Sequence, residues 1–403
     1  MAKATTPNDR NGDCSPRIGA VIADAIIPAW ATAFDVSSCR LVDPVGAIAG
    51  RHTAPVATLR AQSQRIDAIA EAAMAGLGGA NASRAAHLLA RTLRLFLGSD
   101  GEPGFPRAVN ADGAVVDPAR DFESHAWLLR AVAKVYALTG APETLLVADL
   151  VLEYLDINLA HGIAGYRPDG LGGRLGGQRG HLRLLEGVLT LHRHGGRQKD
   201  FARACALVEL FRYHLLDRAA GMVPEYFDRD WRAVATDAQA AYRPRSTAQW
   251  IVALTQFRAQ GGDPSLAAEI AILRRGMFGS LTAQGLLPET VGADGRPACD
   301  GAELATQLAY FAAAQAIDGY SGKSRERLLD LDRRIAETFL EPAVKGCWIE
   351  GVDAKNASRG APPRLSTLAA LVRHCALAQS AVRADEGRLV AFRVDERRGA
   401  YAA

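Results

Sequence analysis

The residues able to carry chemistry in this chain sit at short helical spacings. His181, Arg183 and Glu186 fall within two turns of one apolar-periodic stretch. Arg183 and Glu186, three apart, share a helical face, whereas His181 and Arg183, two apart, do not. Histidine titrates near neutrality and suits general acid–base work, so His125, His181 and His374 are candidates for proton transfer or ligand contact. A pair of carboxylates across a cleft would instead suit glycoside cleavage, and Glu186 and Glu225 are the candidates. Trp127, Trp250 and Trp348 offer flat apolar faces to a sugar ring, and core packing is an equally good use of them. Gly170 to Gly180 is glycine-rich with Arg174 and Arg179 interleaved. Its spacing fits neither phosphate-binding nor dinucleotide-binding loops, so it reads as a loop over a pocket. No carboxylate or cysteine completes a metal site around His192 and His194, and no metal is expected.

These groups need elements to position them, and composition sets the limits. With 403 residues, 49% of them hydrophobic and 23% charged, the chain is globular and can bury a large core. A net charge of only +3 points to neither a nucleic-acid nor a membrane partner. Cys14, Cys39, Cys205, Cys299, Cys347 and Cys375 are scattered without a CxxC pair, which fits a reduced, cytoplasmic protein. The apolar run Ile18 to Phe34 is interrupted by Asp24 and Pro28 and reads as a first helix rather than a leader. Residues 1–17 and 386–403 read as tails around a single domain, 18–385.

Apolar residues three and four apart predict helices over Ala126 to Leu138, Leu145 to Leu159, Leu182 to His192, Phe201 to Leu216 and Ala302 to Ala316. Between helical pairs the punctuation recurs about every sixty residues: Gly104-Phe-Pro-Arg, Gly165-Tyr-Arg-Pro, Gly221-Met-Val-Pro-Glu-Tyr, Gly285-Leu-Leu-Pro-Glu-Thr and Gly346-Cys-Trp-Ile-Glu. Six such helical hairpins close into a ring more readily than they stack into an open array. The expected fold is therefore all-α, an (α/α)6 barrel, with strands confined to short hairpins near Gly104, Gly221, Gly285 and Gly346.

Ordered segments then bring a known family into view. Ile27-Pro-Ala-Trp30-Ala, Arg60-Ala-Gln62-Ser-Gln64-Arg65, Glu123-Ser-His125-Ala-Trp127, His181-Leu-Arg183-Leu-Leu-Glu186-Gly, Pro224-Glu225-Tyr-Phe-Asp228-Arg-Asp230-Trp231, Pro244-Arg245-Ser246-Thr-Ala-Gln249-Trp250 and Ser366-Thr-Leu-Ala-Ala370-Leu resemble, in order, motifs of the N-acylglucosamine 2-epimerase family. The resemblance covers about residues 20–380. It implies a pocket for a sugar, with Gln62, Gln64, Arg65, His125, Trp127, Arg183, Arg245, Gln249, Trp250, Gln307 and Trp348 as binding residues, and no cofactor. It also implies proton transfer at C2 of a ring-opened sugar by two histidines.

At those two positions this chain has Arg183 and Ala370, neither of which can accept a proton. A family Glu is replaced by Gln249, a His by Ser246 and an Arg by Gln64. Rescue would fall to His181, Glu186, Glu225 or His374 in new roles, and His374 lies a full turn, about 5 Å, beyond Ala370. The expected function is a carbohydrate-binding protein with the usual proton transfer lost or altered. A divergent epimerase or aldose–ketose isomerase is the second reading, and an (α/α)6 glycoside hydrolase or lyase the third. Because Arg183 and Arg245 replace a His and a Gly, an anionic sugar derivative is the expected ligand, unless Arg183 pairs internally with Glu186. A homodimer is compatible with the sequence.

Overall fold

The structure, a computed structural model, describes residues 18, 21–26 and 56–377 apart from 78–81, 99, 170–175, 235–241, 300, 320–321, 344–345, 362 and 365. The expected tails, the Trp30 segment and most of the glycine-rich stretch lie outside the described residues.

Helices alternate between an inner and an outer layer. The inner ones are α1 (Leu59–Met74), α3 (Phe122–Thr139), α5 (Gln178–Gly195), α7 (Pro244–Ala259), α9 (Leu304–Asp318) and α11 (366–377). Between them in sequence run the outer helices α2 (Ala82–Phe96), α4 (Pro142–Tyr154), α6 (Gln198–Leu210), α8 (Ala267–Gly279) and α10 (Gly322–Ile335). Three of these, α4, α6 and α10, run on into a wider π turn, Leu155–Leu159, Phe211–Leu215 and Ala336–Leu340. Each of the five helical stretches expected from periodicity is present.

The layers differ as burial demands. In α3 every residue from Ser124 to Val135 is buried, whereas α2 buries only Ala85, Leu88, Leu89, Thr92 and Phe96, a stripe at three- and four-residue spacing. Consecutive inner helices pack together from α1 to α9. Helix α11 closes the ring, with Arg373 reaching Glu71 of α1 at 3.6 Å and the Leu377 carbonyl accepting from Gln315 of α9. A helical segment at Ile22–Ile26 joins the outer layer through fully buried Ile18, Ile22 and Ile26, and the Ile18 amide donates to Asp332 of α10.

Two kinds of connection follow. At one end of the barrel an inner helix turns sharply into its outer partner, as at Gly140 and Gly196, both in left-handed backbone conformation. At the other end longer loops carry the strands. β2 (Ala108–Asn110) and β3 (Val115–Asp117) form a hairpin, and β1 (Val56–Thr58) pairs on β2 with Thr58 opposite Ala108. Near Gly221, Gly285 and Gly346 the expected short hairpins are present as single antiparallel bridges, Asp217 with Met222, Val291 with Pro297 and Val352 with Ser358. β4 (Gly176–Gly177) pairs with β5 (Tyr226–Phe227), and β6 (Ala302–Glu303) with β7 (Gly351–Val352), so neighbouring loops stitch to each other.

The recurring Gly punctuation has a structural cause. Gly104, Gly165, Gly221, Gly285 and Gly346 all have φ between 66° and 83°, where a Cβ is strained. In four units the loop beyond that glycine is clamped by the fourth residue of the next inner helix. His125 Nε2 accepts from the Phe105 amide (3.1 Å), His181 Nε2 from Tyr166 (3.0 Å), Thr247 Oγ1 from Val223 (3.3 Å) and Gln307 Oε1 from Leu287 (2.9 Å). A Cβ on Gly165 would come within 2.7 Å of His181 Nε2, so glycine there serves the clamp as well as the turn.

Candidate functional site

The strand-bearing loops surround a cavity of about 380 Å³ at the N-terminal ends of the inner helices. Four consecutive inner helices each present an i, i+4 pair to it, one above the other on a single face. These are Arg60 and Gln64 on α1, Glu123 and Trp127 on α3, Arg179 and Arg183 on α5, and Arg245 and Gln249 on α7. Thr306 of α9, Ser366 of α11 and the loop residues Glu225, Arg243, Glu289, Glu303 and Arg364 complete it. A larger groove of about 670 Å³ lies on the outer helices, lined by Lys199, Arg203 and Tyr213 among others.

Arginine and glutamate dominate the walls, and the pairing is specific. Arg60 meets Glu123 at 3.2 Å, Arg364 meets Glu303 at 3.5 Å, and Glu289 is held from behind by Arg359 at 2.7 Å. Glu225 receives Arg179 at 2.9 Å, Gln178 at 3.0 Å and the Ser246 hydroxyl. Arg183 lies over the Trp127 ring, 4.8 Å from its centroid, and donates to Glu186 at 2.6 Å and to Gln249 at 2.5 Å. The internal Arg183–Glu186 pair weighed from the sequence is therefore formed. Burial pulls the Arg183 guanidinium below its usual value in spite of Glu186.

Beneath this floor runs a buried ion-pair network. Arg130 bridges Glu186 (3.2 Å) and Asp67 (3.4 Å), Lys134 bridges Asp67 (2.7 Å) and Glu71, and Arg373 sits 3.6 Å from both Glu186 and Glu71. Burial would raise the Asp67 carboxyl, but Arg130 and Lys134 hold it below the ordinary carboxylate range. On the far side lies a second chamber of about 550 Å³, lined by Glu71, Arg130, Lys134 and Glu186. The network partitions the barrel.

Of the residues singled out in the sequence, Gln64, Trp127, Arg183, Glu225, Arg245 and Gln249 come together in the cavity, with Glu186 just under its floor. The histidines do not. His125 and His181 are fully buried clamps, their Nδ1 atoms directed at the carbonyls of Asp121 and Gly177. Burial pushes them down to about 4 and about 3, so both are neutral and spent on backbone. His374 borders a small chamber beside Ala370, but its Nε2 is bound to Asp332 at 2.8 Å and its ring packs on Phe311. Trp250 donates to Gln178 and stacks on Phe211, Trp348 donates to Glu350, and Gln307 clamps Leu287. Gln62 and Arg65 are buried in α1 and do not line the cavity. Asp228 accepts from the Asp230 and Arg232 amides and shapes a loop.

Sequence reasoning left Arg60, Glu123, Arg179, Arg243, Glu289, Glu303, Arg364 and Thr306 out of the candidate site. For the first three the signal was available, since each lies four residues before a residue already named. Thr306 is on α9, and the rest come from the loops and short strands between helices, whose approach no periodicity encodes.

Comparison with known proteins agrees with this architecture. A mannose-6-phosphate isomerase from Rhizobium meliloti (strain 1021) is 25% identical over 364 residues, 85% of this chain and 91% of that protein. Cellobiose 2-epimerase from Spirochaeta thermophila DSM 6192 superposes with a TM-score of 0.73 at 17% identity, covering 91% of this chain and 96% of the other. A D-mannose isomerase gives 0.73 at 14% identity (93% and 100% covered), and the α-1,6-mannanase GH76A of Salegentibacter sp. HEL1_6 gives 0.63 at 14% (90% and 99%). The sequence profile of N-acylglucosamine 2-epimerase (GlcNAc 2-epimerase) matches residues 59–366, and on that match the chain belongs to the N-acylglucosamine 2-epimerase family.

Proposed function

We propose that this protein binds a sugar in the inner-helix cavity and that the histidine-based proton transfer expected of its family is lost or altered. One observation carries the reading: no histidine lines the cavity among the described residues, and His125, His181 and His374 each have Nε2 committed elsewhere. Proton abstraction from carbon needs a base within hydrogen-bond reach of the substrate, and arginine cannot serve. The carboxylates that line the cavity are engaged by arginines, which suits them to hold hydroxyl groups or neighbouring side chains in place.

The second reading is a divergent epimerase or isomerase, favoured by the relative named a mannose-6-phosphate isomerase. It would have to use Glu225, Glu303 or another wall carboxylate as base. A glycoside hydrolase has less support, because Glu186 and Glu225 do not face one cleft: Glu186 lies under Arg183 and opens to the rear chamber. The deciding experiment is NMR of the purified protein in deuterated water with aldoses, N-acyl amino sugars and sugar phosphates. Sugar binding without deuterium at C2 is expected. A turnover near about 10 per second, the median for enzymes, on N-acetylglucosamine, N-acetylmannosamine, mannose or fructose would refute it.

A further inference from the structure

The sequence placed two replaced positions, Arg183 and Arg245, side by side as candidates for an anion, and the structure separates their fates. Arg183 is neutralised by Glu186 and braced by Gln249 and Trp127. The Arg245 side chain has no ion pair or hydrogen bond among the described residues, nor does the side chain of Arg243 two residues before it, and both residues line the cavity. The remaining lining arginines and the lining glutamates are matched to partners.

We propose that Arg245, assisted by Arg243, is the anion-recognition site of this cavity, and that its ligand is a sugar bearing a phosphate or carboxylate group. This rests on the sugar-binding reading above. Arg245 is half-buried, open to the cavity yet surrounded by protein. That burial, with Arg183 and Arg179 nearby, pulls its guanidinium down to about 10. The opposing charges that act on it are already engaged: Glu303 with Arg364, and Glu350 with the Trp348 indole, the Thr367 hydroxyl and the Arg364 amide. A guanidinium held out of bulk water among like charges without a counter-ion is a standing cost that a bound oxyanion relieves. Its planar fork suits two oxygens of one phosphate or carboxylate. At the second position of α7, Arg245 also stands where the helix dipole favours negative charge. The cavity lies within the roughly 300–1,000 Å³ typical of small-ligand sites.

The test is calorimetric titration of the full chain with glucose, mannose and N-acetylglucosamine, each beside its 6-phosphate, and with glucuronate and inorganic phosphate. In the native protein at least one phosphorylated or carboxylated sugar should bind about tenfold or more tighter than its neutral parent, the scale of a lost charge-assisted bond. Raised salt should weaken that preference. Arg245→Met should abolish it and Arg245→Lys should keep part of it, with the melting temperature of each variant measured alongside as a check on folding. Inorganic phosphate probes the site without any sugar: it should compete with the charged sugar in the native protein and not bind Arg245→Met. If phosphate binds and no sugar does, the anion site stands and the sugar-binding reading fails. If charged and neutral sugars bind alike, or the preference survives Arg245→Met, the anion site is wrong and sugar binding stands. Should Arg245→Met fail to fold, equal binding of charged and neutral sugars to the native protein still overturns the proposal, and a salt-sensitive preference retained by Arg245→Lys supports it.

Discussion

Replacing His181 with alanine separates a structural histidine from a catalytic one. The side chain is fully buried between Phe122, at 4.5 Å between ring centroids, and Trp231, at 5.2 Å, and its Nε2 is the acceptor for the Tyr166 amide. Removing the acceptor strands a buried N–H, at about 1–3 kcal/mol. The emptied ring site adds a cavity cost on the scale of about 2–3 kcal/mol for a moderate core truncation. Together these predict a loss of about 4 kcal/mol. With an unfolding entropy of about 2 cal/mol/K per residue, the melting temperature of a barrel this size should fall by roughly 5 °C. His181→Gln, which copies the residue that does the same job at Gln307, should recover part of the loss because it restores an acceptor. The assays are thermal and urea denaturation followed by circular dichroism, with sugar binding measured on the folded variant. Since His181 does not line the cavity, binding should change little at a temperature where the variant is folded. A variant that melts within about 1 °C of the native protein yet no longer binds or exchanges sugar would refute the clamp.

Further expectations follow from the same groups. His125 and His181 are held neutral by burial, at about 4 and about 3, against about 6.5 in an unfolded chain. The unfolded chain then binds more protons across that window. Their contribution is intact above pH 6.5 and is lost as pH falls toward 4, by roughly 1 kcal/mol per pH unit for each. Urea midpoints at several pH values should show the decline, less steeply in His181→Gln; a flat profile would contradict the assignment. Lys134→Met removes one of the two cations on buried Asp67, and should cost about 3 kcal/mol, the lower end for breaking a buried pair, because Arg130 remains. An unchanged urea midpoint would show that the network is not coupled to folding.

The ring of hairpins was readable because its signals are local: apolar spacing for the helices, and a glycine at each loop entry that φ above +60° requires. The front cavity was half readable. Gln64, Trp127, Arg183, Arg245 and Gln249 lie near the starts of inner helices, and one helical turn carries a sequence spacing directly into space. The histidines misled for a physical reason. A polar side chain near the start of an inner helix serves a ligand or the preceding loop, and the choice depends on backbone 15 to 24 residues earlier in the chain. That Thr, Gln and His alternate at the fourth helical position was the available clue, since acid–base chemistry would not tolerate such exchange and hydrogen-bond acceptance does. The unpaired state of Arg245 depends on which carboxylates other arginines have claimed, a distribution of partners that no linear pattern records.

The closing of the ring also sets an order of assembly. Each inner helix from α3 to α9 packs on the inner helix made before it, so these layers can add in sequence as the chain emerges. The seam is different: α11 must fit between α9 and α1, and the Ile18 amide reaches an acceptor 314 positions away on α10. Contacts of such sequence separation form late. Until they do, the faces of α1 and α9 that α11 covers lack their partner. The last inner helix is thus a keystone, and a ribosome-bound chain lacking it would hold every wall of the cavity except the one that makes it a cavity.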